Sequence, residues 1–484
     1  MKRLIVCCDG TWNTPDQTDD GISTPTNVVK IYNAVDELSN ADGIKQLKYY
    51  HPGVGADEKI IKKIKAGING NGIDEIIMSA YSWLCRNYQP GDDIFLFGFS
   101  RGAFTVRSVS GLINQCSLLD LSECDDNTSW KWIEKAYKSY RESGKNKKWK
   151  DGIRFISLPE GVEKVPIKFI GVWDTVGSLG IPDDMTFLNL FDNIKKHQFH
   201  NTELCDNVEY AMHAVAIDEL RASFSPTLWT KFTNGPKRKQ VWFPGEHGNV
   251  GGGRKETGLS DGALLWMIEQ ARAAGLVIKE QVVSQIKPDP MDFAHSISGI
   301  YKLLRTHPRS IPLIDQSNSE VIHESALKRQ QNPPIHLDSY RKTYLLKVGD
   351  EITCAIYAKQ HWNETGIYLE KGAHYKFSAQ GQWVDLNIKC GPAGTRDGKF
   401  HFGEVFLSIS SLVGKLEKIF KKNADLFGTK RIEQYPWMSL VGVVANSPNP
   451  THDGTPGPHQ YFLIGNNCEL KGISDPGYLY CFAQ

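Results

Sequence analysis

The sequence predicts an α/β protein: a mostly parallel sheet with helices on both faces, followed by a β-rich C-terminal part. Three observations predict this. Short apolar runs at residues 4–8, 45–50, 94–97, 165–173 and 240–243 alternate with segments at helical spacing. Several of these runs end in turns that carry Asp, Ser or His beside glycine. From about Tyr344 the pattern changes to short β-rich runs separated by Gly, Asn and Asp turns.

A chain of 484 residues is too long for one ordinary domain. The sequence divides into residues 1–330, expected to be catalytic, a linker at 331–343 around Asn332-Pro333-Pro334, and a β-sandwich accessory domain at 344–484. Apolar residues make up 40% and charged residues 23%, enough for a large core. A net charge of +1 argues against broad electrostatic binding to nucleic acid. Ten scattered cysteines form no C-x-x-C pair and read as reduced, small apolar residues. The N-terminus enters a strand directly, with no signal-peptide core, and no apolar run reaches the length of a spanning helix. The expectation is synthesis in the cytoplasm.

The stretch Ile94-Phe-Leu-Phe-Gly-Phe-Ser-Arg-Gly-Ala-Phe104 organises the rest. A buried strand leads into G-x-S-x-G (Gly98, Ser100, Gly102), and residues 103–113 read as a helix. A serine on a sharp strand-to-helix turn is a nucleophile elbow. The glycines are required because strand and helix backbones pass close together, and the helix N-terminus favours developing negative charge.

The first strand ends in Asp9-Gly10-Thr11, at the sheet edge where open α/β folds bind ligands. The backbone N–H groups of Thr11 and Arg101 are the oxyanion-hole candidates, and Asp9, Gly10 and Phe99 are the substrate-pocket candidates. Residues 25–38, capped by Thr24 or Thr26, and residues 73–88 read as helices. Residues 121–151 read as a surface helix pair or as a cover over the site. The strand at 165–173 ends in Asp174, where an acid can hold a histidine tautomer or cap the next turn. Residues 208–223 read as a helix containing His213 and Asp218, with Asp218 the reserve acid. The strand at 240–243 leads to Glu246-His247 in a glycine-rich loop. That loop lacks the Walker Lys-Ser/Thr ending and a full G-x-G-x-x-G, which argues against a nucleotide site. Residues 260–274 read as a helix capped by Ser260, and His323 is the reserve histidine. Ser100, Asp174 and His247 follow one another in the α/β-hydrolase order. A serine triad of this kind needs neither metal nor cofactor.

In the C-terminal part, strands are expected at 351–357, 366–369, 375–378, 440–444, 461–464 and 477–482. A helix near 407–427 interrupts them. Its lysines Lys415, Lys418, Lys421 and Lys422 read as a solvated face or as a membrane-surface helix.

Four stretches carry a resemblance: Cys8-Asp-Gly-Thr-Trp-Asn13, Gly98-Phe-Ser-Arg-Gly-Ala-Phe104, Val172-Trp-Asp-Thr-Val-Gly177, and the run from Val241 through Glu246-His247 to Gly253. Ile217-Asp-Glu with Arg221 and Phe224, and Ile322-His-Glu-Ser325, fit the same pattern. Over residues 1–330 the chain resembles the bacterial and fungal α/β-hydrolase family that includes the first class of type VI secretion lipase effectors. The resemblance implies a phospholipase with the triad Ser100, Asp174 and His247, acting at a membrane surface and releasing fatty acid. It also implies delivery out of the cell, with a secretion-apparatus or immunity-protein partner. One departure is Asn249, where the family usually has Asp. The C-terminal part is more weakly similar to galactose-binding-type jelly rolls, through Tyr375-Lys-Phe-Ser378, Gly381-Gln-Trp-Val-Asp385, Leu440-Val-Gly442 and Phe462-Leu-Ile-Gly465. That similarity implies a glycan or protein partner. The rival reading is a hydrolase fold without activity that serves as a glycan- or partner-binding protein.

Overall fold

The computed structural model describes residues 1–10, 13–37, 42–53, 72–142, 147–177, 202–295, 306–334, 339–385, 388–395, 432, 434–451 and 456–484. Its centre is a six-stranded parallel sheet built from β1 (Arg3–Cys8), β2 (Gln46–His51), β3 (Asp93–Phe99), β4 (Ile167–Trp173), β5 (Val208–Ala216) and β6 (Arg238–Phe243). The strand order is β2-β1-β3-β4-β5-β6. Alternate side chains face opposite ways. Leu4, Val6, Leu96 and Val172 pack against the helices α2 (Ile73–Asn87), α3 (Arg101–Cys116) and α4 (Asp126–Arg141). Ile5, Cys7, Phe97, Phe169 and Met212 pack on the other face, against α1 (Asn27–Ala34) and, past a short helix α5 (His247–Gly251), α6 (Gly258–Ala273). Burial on both faces is why these strands read as continuous apolar runs.

The chain reverses direction across the sheet between β1 and β3, since β2 lies on the far side of β1. In open α/β sheets a ligand crevice lies at such a switch point, outside the carboxyl ends of the strands. The register makes this concrete: Cys8 pairs with Gly98, and Phe99 pairs with Trp173. Asp9, Ser100 and Asp174 therefore leave three adjacent strands on one edge of the sheet.

Local chemistry sets the helix starts. The Thr26 hydroxyl caps α1 by accepting from the Val29 N–H at 3.2 Å, which resolves the Thr24 or Thr26 alternative. Asp125 caps α4 through the Thr128 N–H at 2.7 Å. Thr257, not Ser260, occupies the capping position of α6; Ser260 donates its hydroxyl back to the Thr257 carbonyl. Between residues 121 and 151 the described residues form one helix, α4, and a short 3₁₀ turn at Lys147–Lys150 instead of a helix pair.

Two expectations are corrected. Residues 208–223 do not form a helix: Val208–Ala216 is strand β5, paired in parallel with β4 and β6. Its apolar run has no alternation because both faces are covered, so its period carries no strand signal. Residues 351–357 form no strand; Ile352, Cys354 and Ile356 are partly buried against the core of Leu440, Val444 and Leu479. The helix expected near 407–427 lies outside the described residues.

In the C-terminal part a four-stranded antiparallel sheet takes the order β9-β8-β10-β7, from β7 (Asn363–Leu369), β8 (Leu440–Ala445), β9 (Gln460–Leu463) and β10 (Gly477–Ala483). Two two-stranded ladders accompany it, Tyr375–Ser378 with Asn467–Leu470 and Trp383–Asp385 with Ile388–Cys390. The sheet and the ladders share a core, and a jelly-roll strand order is not shown among the described residues. The period of two assigns the faces. Val441, Val443, Ala445, Tyr478, Tyr480 and Phe482 share a core with Val215, Trp242, Ile311 and Ile322 of the α/β part. Leu440, Val444, Leu479 and Cys481 face the ladders with Phe377 and Trp383.

A part-buried ion pair fastens the two parts. Arg341 donates from Nε to Asp218 Oδ1 at 2.8 Å and from Nη1 to the Tyr480 hydroxyl at 2.7 Å. Asp218 also accepts from the Tyr340 hydroxyl at 2.9 Å and the Gly245 N–H at 2.6 Å. Removing Asp218 leaves Arg341 only its pair with the half-exposed Glu364, at 3.0 Å. Asp218→Ala is expected to lower unfolding free energy by about 3 kcal/mol, read as a reduced urea midpoint. An unchanged midpoint would contradict the fastening role.

Candidate functional site

Ser100 follows the last residue of β3 and caps α3 with φ 56° and ψ −122°. A non-glycine residue in this region is strained by about 1–3 kcal/mol, and it persists only when its surroundings enforce it. Here they do. A β-carbon on Gly102 would run into the carbonyl oxygens of Cys8 and Asp9, and one on Gly98 would run into the Gly102 carbonyl. The Ser100 N–H donates to the Trp173 carbonyl at 3.1 Å, fixing the turn to the neighbouring strand. Arg101 begins α3, so its N–H belongs to the helix N-terminus. Thr11 lies outside the described residues.

Asp174 leaves β4 with φ 36°, a second strained residue beside the first. Its side chain is fully buried and accepts four hydrogen bonds. Oδ2 takes His247 Nδ1 at 2.6 Å and Arg309 Nη2 at 2.9 Å; Oδ1 takes Arg309 Nη1 at 2.6 Å and the Ala216 N–H at 2.9 Å. Burial alone would raise the carboxyl pKa. The Arg309 charge and the His247 and Arg309 hydrogen bonds outweigh it and hold Asp174 far below the usual carboxylate range. An ionised Asp174 makes His247 Nδ1 the donor and leaves Nε2 as the basic nitrogen.

The His247 ring is held between two aromatics. Phe99, the residue before Ser100, lies 4.5 Å away between centroids, and Phe224 meets the ring edge-on at 4.8 Å. Gly251 is needed because a β-carbon there would collide with the Phe99 ring. The His247 N–H donates to Glu219 Oε2 at 3.3 Å. Arg221 bridges Glu219 at 2.6 Å and Glu246 at 2.9 Å, and Arg254 closes on Glu246. Asn249 accepts from the Glu246 N–H at 3.2 Å and the His295 N–H at 3.1 Å. Its amide donates to the Phe293 carbonyl at 3.2 Å, a bond that a carboxylate could not make.

The other candidates take supporting places. Asp9 is buried, accepting from Thr26 at 2.7 Å, Tyr50 at 2.9 Å and the Gly10 N–H at 2.7 Å. Burial pushes its pKa up to about 6 against the pull of these bonds. It braces the loop after β1 instead of opening to solvent. A β-carbon on Gly10 would press on Ser100 Cβ and the Phe99 ring, so Gly10 and Phe99 border the serine. The structure does not bring the reserve residues to His247. Asp218 serves Arg341, and His323 stacks on Phe243 while bonding Ser325 at α7 (Glu324–Gln331). His213 is buried in β5, where Nε2 accepts the Thr175 N–H at 3.2 Å. Arg309 is the residue the sequence does not announce.

Three buried histidines set an acid limit. Burial lowers the pKa of His213 to about 3 and of His323 and His459 to about 4. The unfolded chain, with histidine pKa near 6.5, binds more protons between about pH 6.5 and 4, so their contribution is lost as pH falls through that window. Asp9, with its raised pKa, works in the opposite sense between about pH 6 and 4, and Asp93, also raised by burial, works with it, two groups against three. The urea midpoint is expected to fall from about pH 7 to about pH 5. A rising midpoint would contradict the assignment.

A family model described as the catalytic domain of Tle1-like phospholipase effectors of the type VI secretion system matches residues 2–270. An uncharacterized protein of Saccharomyces cerevisiae is 30% identical over 259 residues, covering 49% of this chain and 34% of that protein. The chain thus spans about a third of the length of the curated relative it matches. The crystal structure of an uncharacterized Pseudomonas aeruginosa protein is similar at 17% identity and TM-score 0.36, over 60% of this chain and 49% of that one. A Tle1 effector bound to the VgrG spike is similar at 17% identity and TM-score 0.29, over 53% and 52%. With more than half of its residues matched, this chain belongs to the family of Tle1-like phospholipase effector catalytic domains of the type VI secretion system.

Proposed function

We propose that the chain is a serine ester hydrolase acting on glycerophospholipids at a membrane surface. The observation that carries the reading is the conjunction of a strained serine at an elbow with a histidine bonded through Nδ1 to an ionised, buried aspartate. In this reading Ser100 Oγ attacks the acyl carbonyl as His247 Nε2 takes its proton. The N–H groups of Arg101 and Thr11 receive the oxyanion. Collapse of the tetrahedral intermediate expels the alcohol, which takes the proton back from His247. Water then cleaves the acyl-enzyme by the same steps and releases fatty acid.

The phospholipid substrate is inferred from the family. Two exposed apolar side chains support it. Phe293 sits on the segment bonded to Asn249, and Ile22 sits on a hairpin whose Asp20 pairs with Lys255 at 3.4 Å. Both flank the His247 loop, where they offer an acyl chain apolar contact. Delivery out of the cell through a secretion apparatus is inferred from the family description alone. Among the described residues no helix is long and apolar enough to cross a membrane.

The test is fatty-acid release from mixed phospholipid vesicles. Wild type should release fatty acid, and Ser100→Ala should lose at least about 10³-fold in rate. Release by both proteins alike would refute Ser100 as nucleophile. Failure of wild type on vesicles, with a soluble p-nitrophenyl ester still cleaved, would remove the lipid and leave the hydrolase.

A further inference from the structure

Arg309 sits in residues 306–314, an irregular stretch that belongs to neither sheet. Its guanidinium side chain is 2% exposed. Besides the two bonds to Asp174, Nη1 donates to the Ala216 carbonyl at 2.7 Å and Nη2 to the Phe224 carbonyl at 2.6 Å. The guanidinium thus ties three pieces together: the Asp174 carboxylate, the end of β5, and the segment whose Phe224 ring braces His247. Nε has no hydrogen-bond partner among the described residues, so the orientation is set by the Nη groups. A fork with two parallel donors fits a carboxylate; an ammonium cannot reproduce it.

An irregular segment does not fix its own geometry. On the α/β side its backbone anchor is the His307 N–H on the Leu220 carbonyl at 2.7 Å. Three further anchors come from side chains of the C-terminal part. The Trp362 indole N–H donates to Thr306 Oγ1 at 2.9 Å. His459 Nε2 donates to the Pro308 carbonyl at 2.7 Å, and its ring stacks on His307 at 4.0 Å. The Tyr478 hydroxyl accepts the Ile314 N–H at 2.9 Å. Since His459 Nδ1 accepts the Ser447 N–H at 3.1 Å, the proton is on Nε2 and the bond to Pro308 is a donation. Ile311 and Ile314 complete the grip in the core shared with Val441, Val443 and Phe482.

We propose that Arg309 is a positioning residue of the acyl-transfer site, and that the C-terminal sheet holds it there through Trp362, His459 and Tyr478. The C-terminal part is then a structural member of the catalytic apparatus. This inference rests on the hydrolase reading above. Arg309 acts through Asp174: it fixes which oxygen faces His247 and offsets part of the carboxylate charge. Removing it leaves the full Asp174 charge facing His247, which favours the imidazolium and withdraws the base at higher pH. The other charged or titratable groups around the pair are Glu219, which accepts the His247 N–H, Arg221 and Glu246 beyond it, and His213 beneath Thr175. None of these is altered by the substitutions below.

The experiment measures kcat, KM and the pH dependence of kcat/KM with a soluble ester, using the full chain. The proteins are wild type, Arg309→Met, Arg309→Lys, Trp362→Phe and His459→Phe, with Ser100→Ala as the nucleophile control. Arg309→Met should lower kcat roughly 100-fold with little change in KM, and it should move the acidic limb to higher pH. Arg309→Lys, which keeps the charge, should recover about tenfold in kcat and return the limb toward wild type. His459→Phe keeps a ring to stack on His307 and loses both the donor to Pro308 and the acceptor of the Ser447 N–H; Trp362→Phe loses its N–H together with part of the ring that meets Tyr480 and Phe482. Each should lower kcat by about three- to tenfold at constant KM. Should Arg309→Met fail to fold, Arg309→Lys and the two C-terminal variants still decide the matter. Folded variants with wild-type kcat and an unmoved acidic limb would overturn the inference and leave the hydrolase intact. A wild type as inactive as Ser100→Ala would instead bring down the hydrolase reading itself.

Discussion

The Asp174 carboxylate is the constraint on which the rest depends. A fully buried charge is tolerable only when it is paired and hydrogen-bonded, and Asp174 has a bidentate arginine, a histidine and a backbone N–H. Each partner belongs to a different piece of chain: His247 to the start of α5, Ala216 to the end of β5, and Arg309 to the irregular segment. Satisfying one carboxylate therefore fixes the relative positions of three segments. The histidine gains its orientation from the same arrangement that stabilises the fold.

Strain at the site is concentrated in two residues, Ser100 and Asp174, at the ends of neighbouring strands. Each is held by a bond to the next strand: the Ser100 N–H to Trp173 and the Asp174 N–H to Ala214. The sheet thus enforces the unfavourable torsions, and it does so where the strand order reverses. Phe99 links the two features, for it ends β3, precedes the serine and packs on the His247 ring at 4.5 Å, tilted by 32°.

Much of this was legible in the sequence because it depends on local chemistry. Gly98, Ser100 and Gly102 announce the elbow, since close approach of strand and helix excludes any β-carbon. The apolar runs of β1, β3 and β4 announce strands covered on both faces. The same rule hid β5: Ala211 to Ile217 has no alternation and contains His213 and several alanines, so its run fits either a buried strand or a helix. Arg309 was illegible for another reason. It lies 135 residues from Asp174 between Pro308 and Ser310, with no local pattern to mark it. The C-terminal sheet was legible as strands but not in its role. Alternation in Tyr478, Tyr480 and Phe482 shows a buried face without showing what covers it.

The central claim is that Ser100 is a nucleophile activated by the His247–Asp174 pair. Its most direct test is to treat the full chain with a serine-directed fluorophosphonate and locate the adduct by mass spectrometry. The claim predicts a single adduct on Ser100, absent from Ser100→Ala and formed much more slowly by His247→Ala. An adduct on another residue, or equal labelling of the Ser100→Ala protein, would contradict it.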